Sequence, residues 1–180
     1  MPARDLTSIA FRSARLSFRS FTPADAPESF RHATATVTRF LSWEPYPSLD
    51  AFAQSWRAWP EQAAAGTDAH IVVRQHDGEF VGATGMHFRG EAEPDIGLWI
   101  KQAAWGQGYG REVVGASLAW IGGNLDIAAV RYPVVSGNVA SRRIVESFGG
   151  VLTAERKRTK PRETGETTLV YLVATRAPVA

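Results

Sequence analysis

Three glycines alternate in Gly106-Gln107-Gly108-Tyr109-Gly110, between an apolar stretch ending at Ile100 and a segment of helical period that starts at Gly110. Glycine lets the main chain take positive φ and lets a ligand approach the backbone closely. The first turn of a following helix adds N–H groups without intrahelical partners and the positive end of the helix dipole. Together these features make an anion pocket suited to phosphate. The spacing sorts the candidate ligands. A dinucleotide fingerprint G-x-G-x-x-G counted from Gly106 needs glycine at 111, where Arg111 stands, and belongs at the first β-α turn of a parallel sheet. The Gly-Lys-Ser/Thr of a nucleotide phosphate loop is absent. A short diphosphate cradle remains, beside the plainer reading of a turn that only changes direction.

Other chemistries are narrowed by what the chain lacks. It has no cysteine, which excludes disulfides, thiolate catalysis and cysteine-ligated zinc. Its four histidines (His32, His70, His76 and His87) show no H-E-x-x-H or related spacing, and no G-x-S-x-G elbow occurs. Neither a metal enzyme nor a serine hydrolase is expected. A net charge of +2 is too small to argue for nucleic acid. No apolar run approaches the ~20 residues of a membrane span. No basic n-region precedes an apolar stretch at the start, so a cytoplasmic protein is expected.

The elements that must position the glycine turn follow from periodicity. The 180 residues, 44% hydrophobic and 21% charged, suit a single domain over 1–180, with 1–13 as a loose lead-in. Arg15 to Arg19 alternates as a strand with Leu16 and Phe18 inward. Thr22-Pro23-Ala24-Asp25 reads as a capped helix start, with the helix running through Phe30 toward Phe40. The prolines of Trp43-Glu44-Pro45-Tyr46-Pro47 force a loop. Ser48 caps a second helix with Phe52, Trp56 and Trp59 on one side. Strands are read at Ile71–Val73 and Phe80–Gly82, joined by the turn His76–Glu79, and at Asp95–Ile100, where Gly97 hints at a bulge or a close backbone approach. A helix from Gly110 is stopped by Gly122-Gly123-Asn124. A strand from Ile127 to Val135, a short helix from Asn138 to Phe148, and a closing antiparallel pair beginning near Val151 and Leu169 complete the order β-α-α-β-β-β-α-β-α-β-β. This is an α+β, mixed α/β design with one central β-α-β unit.

Ile100 to Glu112, read as I-K-Q-A-A-W-G-Q-G-Y-G-R-E, resembles the acetyl-CoA signature of the GNAT acetyltransferase superfamily. It is most similar to the RimJ/RimL-type branch of ribosomal-protein N-terminal acetyltransferases, which reads W-G-x-G-Y-A-x-E-A. Tyr132 to Gly150 resembles the next motif of the family, a strand followed by N-x-x-S and a short helix, with Asn138, Ser141 and the Gly149 turn in place. Arg15-Leu16 through Asp25-Ala26 is similar to that branch's opening. The resemblance spans about residues 14 to 175.

The resemblance implies a mostly antiparallel twisted sheet of about six to seven strands with helices on both faces. A V-shaped splay between its two central parallel strands would hold the pantetheine arm. It implies that acetyl-CoA binds on backbone around Leu98, Trp99 and Ile100, with its diphosphate on the amides of Gly106, Gln107, Gly108, Tyr109, Gly110 and Arg111, next to Trp105. A primary amine, either a protein N-terminus or a small molecule, would attack the thioester directly, with the carbonyl polarised by a backbone N–H. The tyrosine that many members carry seven residues after the asparagine is replaced by Val145. Ser141 would then donate to the leaving thiolate or contact the coenzyme, or else bond locally in its own helix. Asn138 would cap that helix and touch the pantetheine. The attacking amine needs a base, for which Asp95 (with Glu93 beside it), His87 and Glu44 are the candidates, each also readable as a solvated edge or loop residue. Trp43 and Tyr46 are candidate acceptor contacts, whereas Phe52 and Trp56 read as core. Arg156 to Arg162 reads as a solvated hairpin, or as an attractor for the coenzyme 3′-phosphate or an acidic acceptor protein. The oligomeric state, a homodimer included, is left open. Two alternatives stand beside the enzyme: a non-catalytic acyl-CoA-binding or sensory module, given room by Val145 and by Gly149-Gly150 where the family has Gly-Phe, and a dinucleotide-binding enzyme.

Overall fold

The computed structural model describes residues 5–88, 93–159, 161 and 164–175. Eight strands form one sheet: β1 (Ala10–Arg12), β2 (Leu16–Ser20), β3 (Asp68–Gln75), β4 (Phe80–His87), β5 (Asp95–Ile100), β6 (Ala129–Val135), β7 (Val151–Lys157) and β8 (Thr167–Ala174). Their spatial order is β1-β2-β3-β4-β5-β6-β8-β7, antiparallel except for the central pair β5–β6. Six helices flank it: α1 (Ala26–His32), α2 (Ala35–Thr38), α3 (Leu49–Trp56), α4 (Trp59–Ala64), α5 (Tyr109–Asn124) and α6 (Val139–Ser147). This is the mixed α/β design expected, with a strand more than the count anticipated. The additional strand is β1, inside the supposed lead-in. Leu6 and Ile9 are 1% and 4% exposed, so this segment is held by burial rather than hanging loose.

The alternation of side chains along each strand divides the residues between two faces. One face carries Ile71, Val73, Ile96, Val130, Tyr132, Val134 and Tyr171, buried with Val113, Val114, Leu118 and Ile121 of α5 into the main core. The other face carries Asp68, His70, His87, Asp95, Pro133, Val135 and Thr168 in continuous register and is overlaid by α1 to α4. Cross-strand pairing therefore assembles residues far apart in sequence on that second face.

Two readings in the N-terminal half are corrected, and one in β5. The first helix does not continue toward Phe40. It ends at His32, and Thr34 caps the four-residue α2 by accepting from the Val37 amide at 3.4 Å, so its side chain competes with helix continuation. The second helix is two helices. Ser48 caps α3 (3.1 Å to the Ala51 amide), but the chain breaks after Trp56 and restarts with Pro60 in the first turn of α4, where its missing N–H costs nothing. Gly97 makes no bulge, since β4–β5 register is unbroken through Gly85–Gly97. Helix α5 also includes Gly122-Gly123-Asn124 before it stops.

Asp25 ties this half together. Its carboxylate accepts from the Thr22 amide (2.9 Å) and from Arg19 Nη1 and Nη2 (2.7 and 2.6 Å), and Arg74 reaches it from β3 (3.1 Å). Burial pushes this carboxyl up, but the hydrogen bonds from Arg19, Thr22 and Arg74 outweigh burial and hold it well below the usual carboxylate range. A group lowered in the fold adds stability above its unfolded pKa of about 4, and that stability is lost as pH falls below it. We expect Asp25→Ala to cost about 2–3 kcal/mol in urea denaturation at pH 7, less than a fully desolvated pair because Arg19 is 43% exposed. At pH 3 the difference between the two proteins should narrow. An equal difference at both pH values would show that the charge is not what matters.

Candidate active site

The glycine turn leads directly into α5, the arrangement expected of it from the sequence. Gly106 and Gly108 have φ of 77° and 78°, a left-handed conformation in which any other residue is strained, and Gly108 is the N-cap of α5. A side chain at 110 would meet Ile144 Cδ1 at 3.0 Å and Leu98 Cδ1 at 3.9 Å, so Gly110 lets the first turn of α5 close on both β5 and α6. The turn is braced by residues distant in sequence. Arg15 Nη1 donates to the Gln107 carbonyl (3.0 Å), its guanidinium lies 4.4 Å from the centre of the Tyr109 ring, and its Nε pairs with Glu112 (2.6 Å). Ser13 and the Arg15 amide also donate to Glu112, at 2.7 and 2.8 Å. The sequence reading quoted both Arg15 and Glu112 within motifs without pairing them. Trp105 is 48% exposed and donates its indole N–H to the Ile100 carbonyl at 2.7 Å, which ties the turn to the end of β5. Arg111 reaches Ser147 Oγ at 3.3 Å.

Strands β5 and β6 meet at one registered pair, Asp95 with Arg131, and part beyond it. Their side chains are also joined, Arg131 Nε donating to Asp95 at 2.7 Å. Beyond this pin, Leu98, Trp99 and Ile100 lie on an edge without a strand partner on the β6 side. Asn138 caps α6 by accepting from the Ser141 amide (3.2 Å). Ser141 Oγ lies 2.8 Å from the Tyr132 hydroxyl, a contact the sequence reading missed because strand and helix are brought together only by the fold. Burial pushes the Tyr132 hydroxyl up to about 12, so it stays protonated. Val145 is fully buried, and a side chain at Gly150 would meet it at 2.8 Å, so the two departures from the family pattern adjoin each other.

On the opposite face a cavity of about 690 Å³ runs from the helices to the parting of β5 and β6. Trp43 and Tyr46 line it, with rings 5.9 Å apart, and so do Phe52 and Trp59, which extend the aromatic wall beyond the two loop residues expected. Trp56 is not part of the lining. His87 and Asp95 line the cavity, whereas Glu44, exposed in its loop, and Glu93 do not. Of the base candidates, the structure therefore brings His87 and Asp95 to one chamber. His70 joins them, stacked flat on Trp59 at 3.8 Å. Burial, then the neighbouring His87, lowers His70 to about 4 and keeps it neutral.

His87 Nδ1 is 2.7 Å from Asp68 Oδ1. Burial pushes Asp68 up, but the hydrogen bonds from His87 and Thr67 and the neighbouring His87 and His70 together outweigh it, and the carboxyl sits below its ordinary range. The ligand-type atoms of Asp68, His70 and His87 fall within 4.8 Å of one another. A tetrahedral ion with ligands at ~2.0–2.2 Å would draw them to about 3.4 Å apart. The arrangement is a hydrogen-bonded Asp–His pair beside a neutral histidine, and reaching an ion would require all three to close in. Helical motif spacing could not reveal this group, because Asp68 and His87 face each other across β3 and β4.

The charge run is not uniformly solvated. Arg158 is 6% exposed, pairs with Glu166 (2.7 Å) and donates to the Arg39 and Leu41 carbonyls, so it pins the loop carrying Trp43. Lys160 and Arg162 lie outside the described residues. No helix among the described residues is long and apolar enough to cross a membrane.

A glycine cradle at a helix start, beside a parted parallel strand pair in an otherwise antiparallel sheet, defines the acyl-coenzyme A-binding acetyltransferase class. The chain belongs to the GNAT acetyltransferase domain family, which matches residues 15–151. Similar solved structures include spermidine N-acetyltransferase from Vibrio cholerae in complex with CoA and spermine (13% identity, TM-score 0.79, covering 91% of this chain and 97% of that one). Mycobacterium smegmatis RimJ in complex with CoA-disulfide is another (18%, 0.76, 88% and 81%). A third is the ribosomal-protein-S5-alanine acetyltransferase from Vibrio fischeri (15%, 0.75, 96% and 100%). At these identities the likeness is one of fold, and no single branch stands out. No curated protein matches the sequence.

We expect Gly108→Ala to lower stability by ~1–2 kcal/mol through the left-handed backbone and to weaken acetyl-CoA binding in calorimetry. Gly123→Ala, late in α5 where an added Cβ meets nothing, should instead be neutral or stabilise by up to about 1 kcal/mol. Equal effects at the two positions would remove the case for a strained cradle.

Proposed function

We propose that this chain transfers an acetyl group from acetyl-CoA to a primary amine by direct attack in a ternary complex, as the RimJ/RimL-type resemblance implies. The observation that carries the reading is the parting of β5 and β6. It adjoins the glycine cradle on one face, where Leu98 lies beside Gly110, and the aromatic cavity on the other, which Leu98 also lines. In this reading the diphosphate rests on the amides of residues 106–111, and the pantetheine arm pairs with the free edge of Leu98–Ile100. An amine held in the cavity then meets the thioester in the gap.

His87 is the best-supported base. Asp68 orients it, while Asp95 is engaged by Arg131 and His70 is too weak a base at neutral pH. The amine nitrogen attacks the thioester carbonyl carbon and its proton passes to His87. The carbon–sulfur bond breaks, and the leaving thiolate accepts a hydrogen bond from Ser141, whose hydroxyl is fixed by Tyr132, and takes its proton from solvent. Asp68 and Tyr132 are positioning residues in this scheme. A second reading, a non-catalytic acyl-CoA-binding module, draws on Val145, which stands where many members hold a tyrosine acid.

Release of free CoA thiol against an amine panel tests the reading. Binding of acetyl-CoA without turnover on any amine would favour the second one. We expect His87→Ala to lower kcat/KM by about 10²–10³ with coenzyme affinity unchanged, and Asp68→Asn to give a smaller loss in the same direction. Undiminished kcat/KM in His87→Ala would transfer the role to another group.

A further inference from the structure

The cavity's charges narrow its ligand. Eight of its lining side chains are aromatic rings of phenylalanine, tyrosine or tryptophan. Among the described residues its lining carries three formally charged side chains at neutral pH, Asp95, Arg156 and Arg158. Asp95 is neutralised by Arg131, and Arg158 by Glu166 and two carbonyls. Arg156 is exposed, and its side chain has no hydrogen-bond or ion-pair partner among the described residues. Within the lining itself the uncompensated charge is therefore that of Arg156, on the β7 side, while the Asp68 carboxylate stands behind His87 and is hydrogen-bonded to it.

That balance opposes a polyamine. Each ammonium group of such a ligand wants a carboxylate, and the one carboxylate of the described lining is taken. Aromatic faces attract a single cation, but a second would sit in the field of Arg156. The balance also opposes a coenzyme role for Arg156, because the glycine cradle, α5 and α6 lie on the other side of the sheet.

Position supplies the rest. Val135 of β6 pairs with Thr168 of β8, which pairs with Arg156 of β7, so the three form one row across the cavity face. Arg156 is rooted two strand spacings, about 10 Å, from the parted edge of β6. Its long side chain can lean back over the chamber, which leaves about one ring's length between an amine in the gap and the guanidinium. Arginine recognises carboxylate through paired N–H donors. The volume is that of a small-molecule site.

We infer that the acceptor is a compact aromatic amine bearing a carboxylate at the end remote from the amine, its ring against the aromatic wall and its carboxylate on Arg156. The inference rests on the acetyltransferase reading for what happens to the amine, but not for the binding.

A matched pair of acceptors tests it: 4-(aminomethyl)benzoate and benzylamine, which differ by the carboxylate alone, with spermidine and an alanine-initiated peptide as competitors of other classes. Wild-type protein should prefer the carboxylate-bearing amine by about tenfold or more in kcat/KM. In Arg156→Gln that gap should close while the KM for acetyl-CoA stays where it was. Preference for spermidine or the peptide, or a gap that survives Arg156→Gln, overturns the inference. Calorimetry of the same pair on the CoA-bound protein separates the two levels. Selective binding without CoA release keeps the site and sinks the transfer reaction. Turnover of benzylamine and its carboxylate at equal rates and equal affinity keeps the reaction and sinks the site.

Discussion

The structure turns on a sheet that is left incomplete at its centre. Strands usually pair along their length because a backbone N–H or C=O deprived of a partner is costly once water is excluded. Here β5 and β6 are pinned by Asp95 and Arg131 and then separate. The gap is held open from both sides. On one, Gly110 brings α5 against Leu98 and Ile144; on the other, α1 to α4 arch over the cavity. Trp105 takes the Ile100 carbonyl, which blunts part of the exposed edge without closing it. Such an edge offers unpaired backbone groups to an extended, amide-bearing ligand.

The two faces of the sheet divide the labour. The face under α5 and α6 is apolar, apart from hydroxyls such as Tyr132 and Ser141, and it completes the core. The face under α1 to α4 keeps a chamber lined by His70, His87 and Asp95. A mostly antiparallel sheet makes this separation simple, because one residue of register decides which face a side chain serves. Asp68 and His70, two apart on β3, and His87, opposite Asp68 on β4, share a face for that reason alone.

The same point explains which parts could be read from the sequence. The glycine turn and the helix after it were legible because they are local: three alternating glycines and the helical period that follows declare themselves within a few neighbours. The strands and α5 were legible from their periods. The acceptor side was not, because its residues are assembled by pairing. Asp68 and His87 are separated by a hairpin, Tyr132 reaches Ser141 across a strand–helix turn, and Arg158 finds Arg39 and Leu41 from the far end of the chain. The broken N-terminal helices failed for a different reason. Their apolar pattern is continuous, but Thr34 and the Trp59-Pro60 step satisfy or remove backbone donors locally and interrupt the run.

The brace between Arg15 and Glu112 joins residues 97 positions apart. A contact of that range forms only after a large loop has been closed, so it contributes late to folding and slows it relative to contacts within hairpins. The hairpin β3–β4 and the helix α5 can begin to order on their own, but the turn at the start of α5 acquires its outer support only when the first strands have joined the sheet. During synthesis the beginning of the chain is thus made long before the turn it must support. Competence to hold coenzyme becomes a late property of the whole chain rather than an early property of the segment that carries the signature.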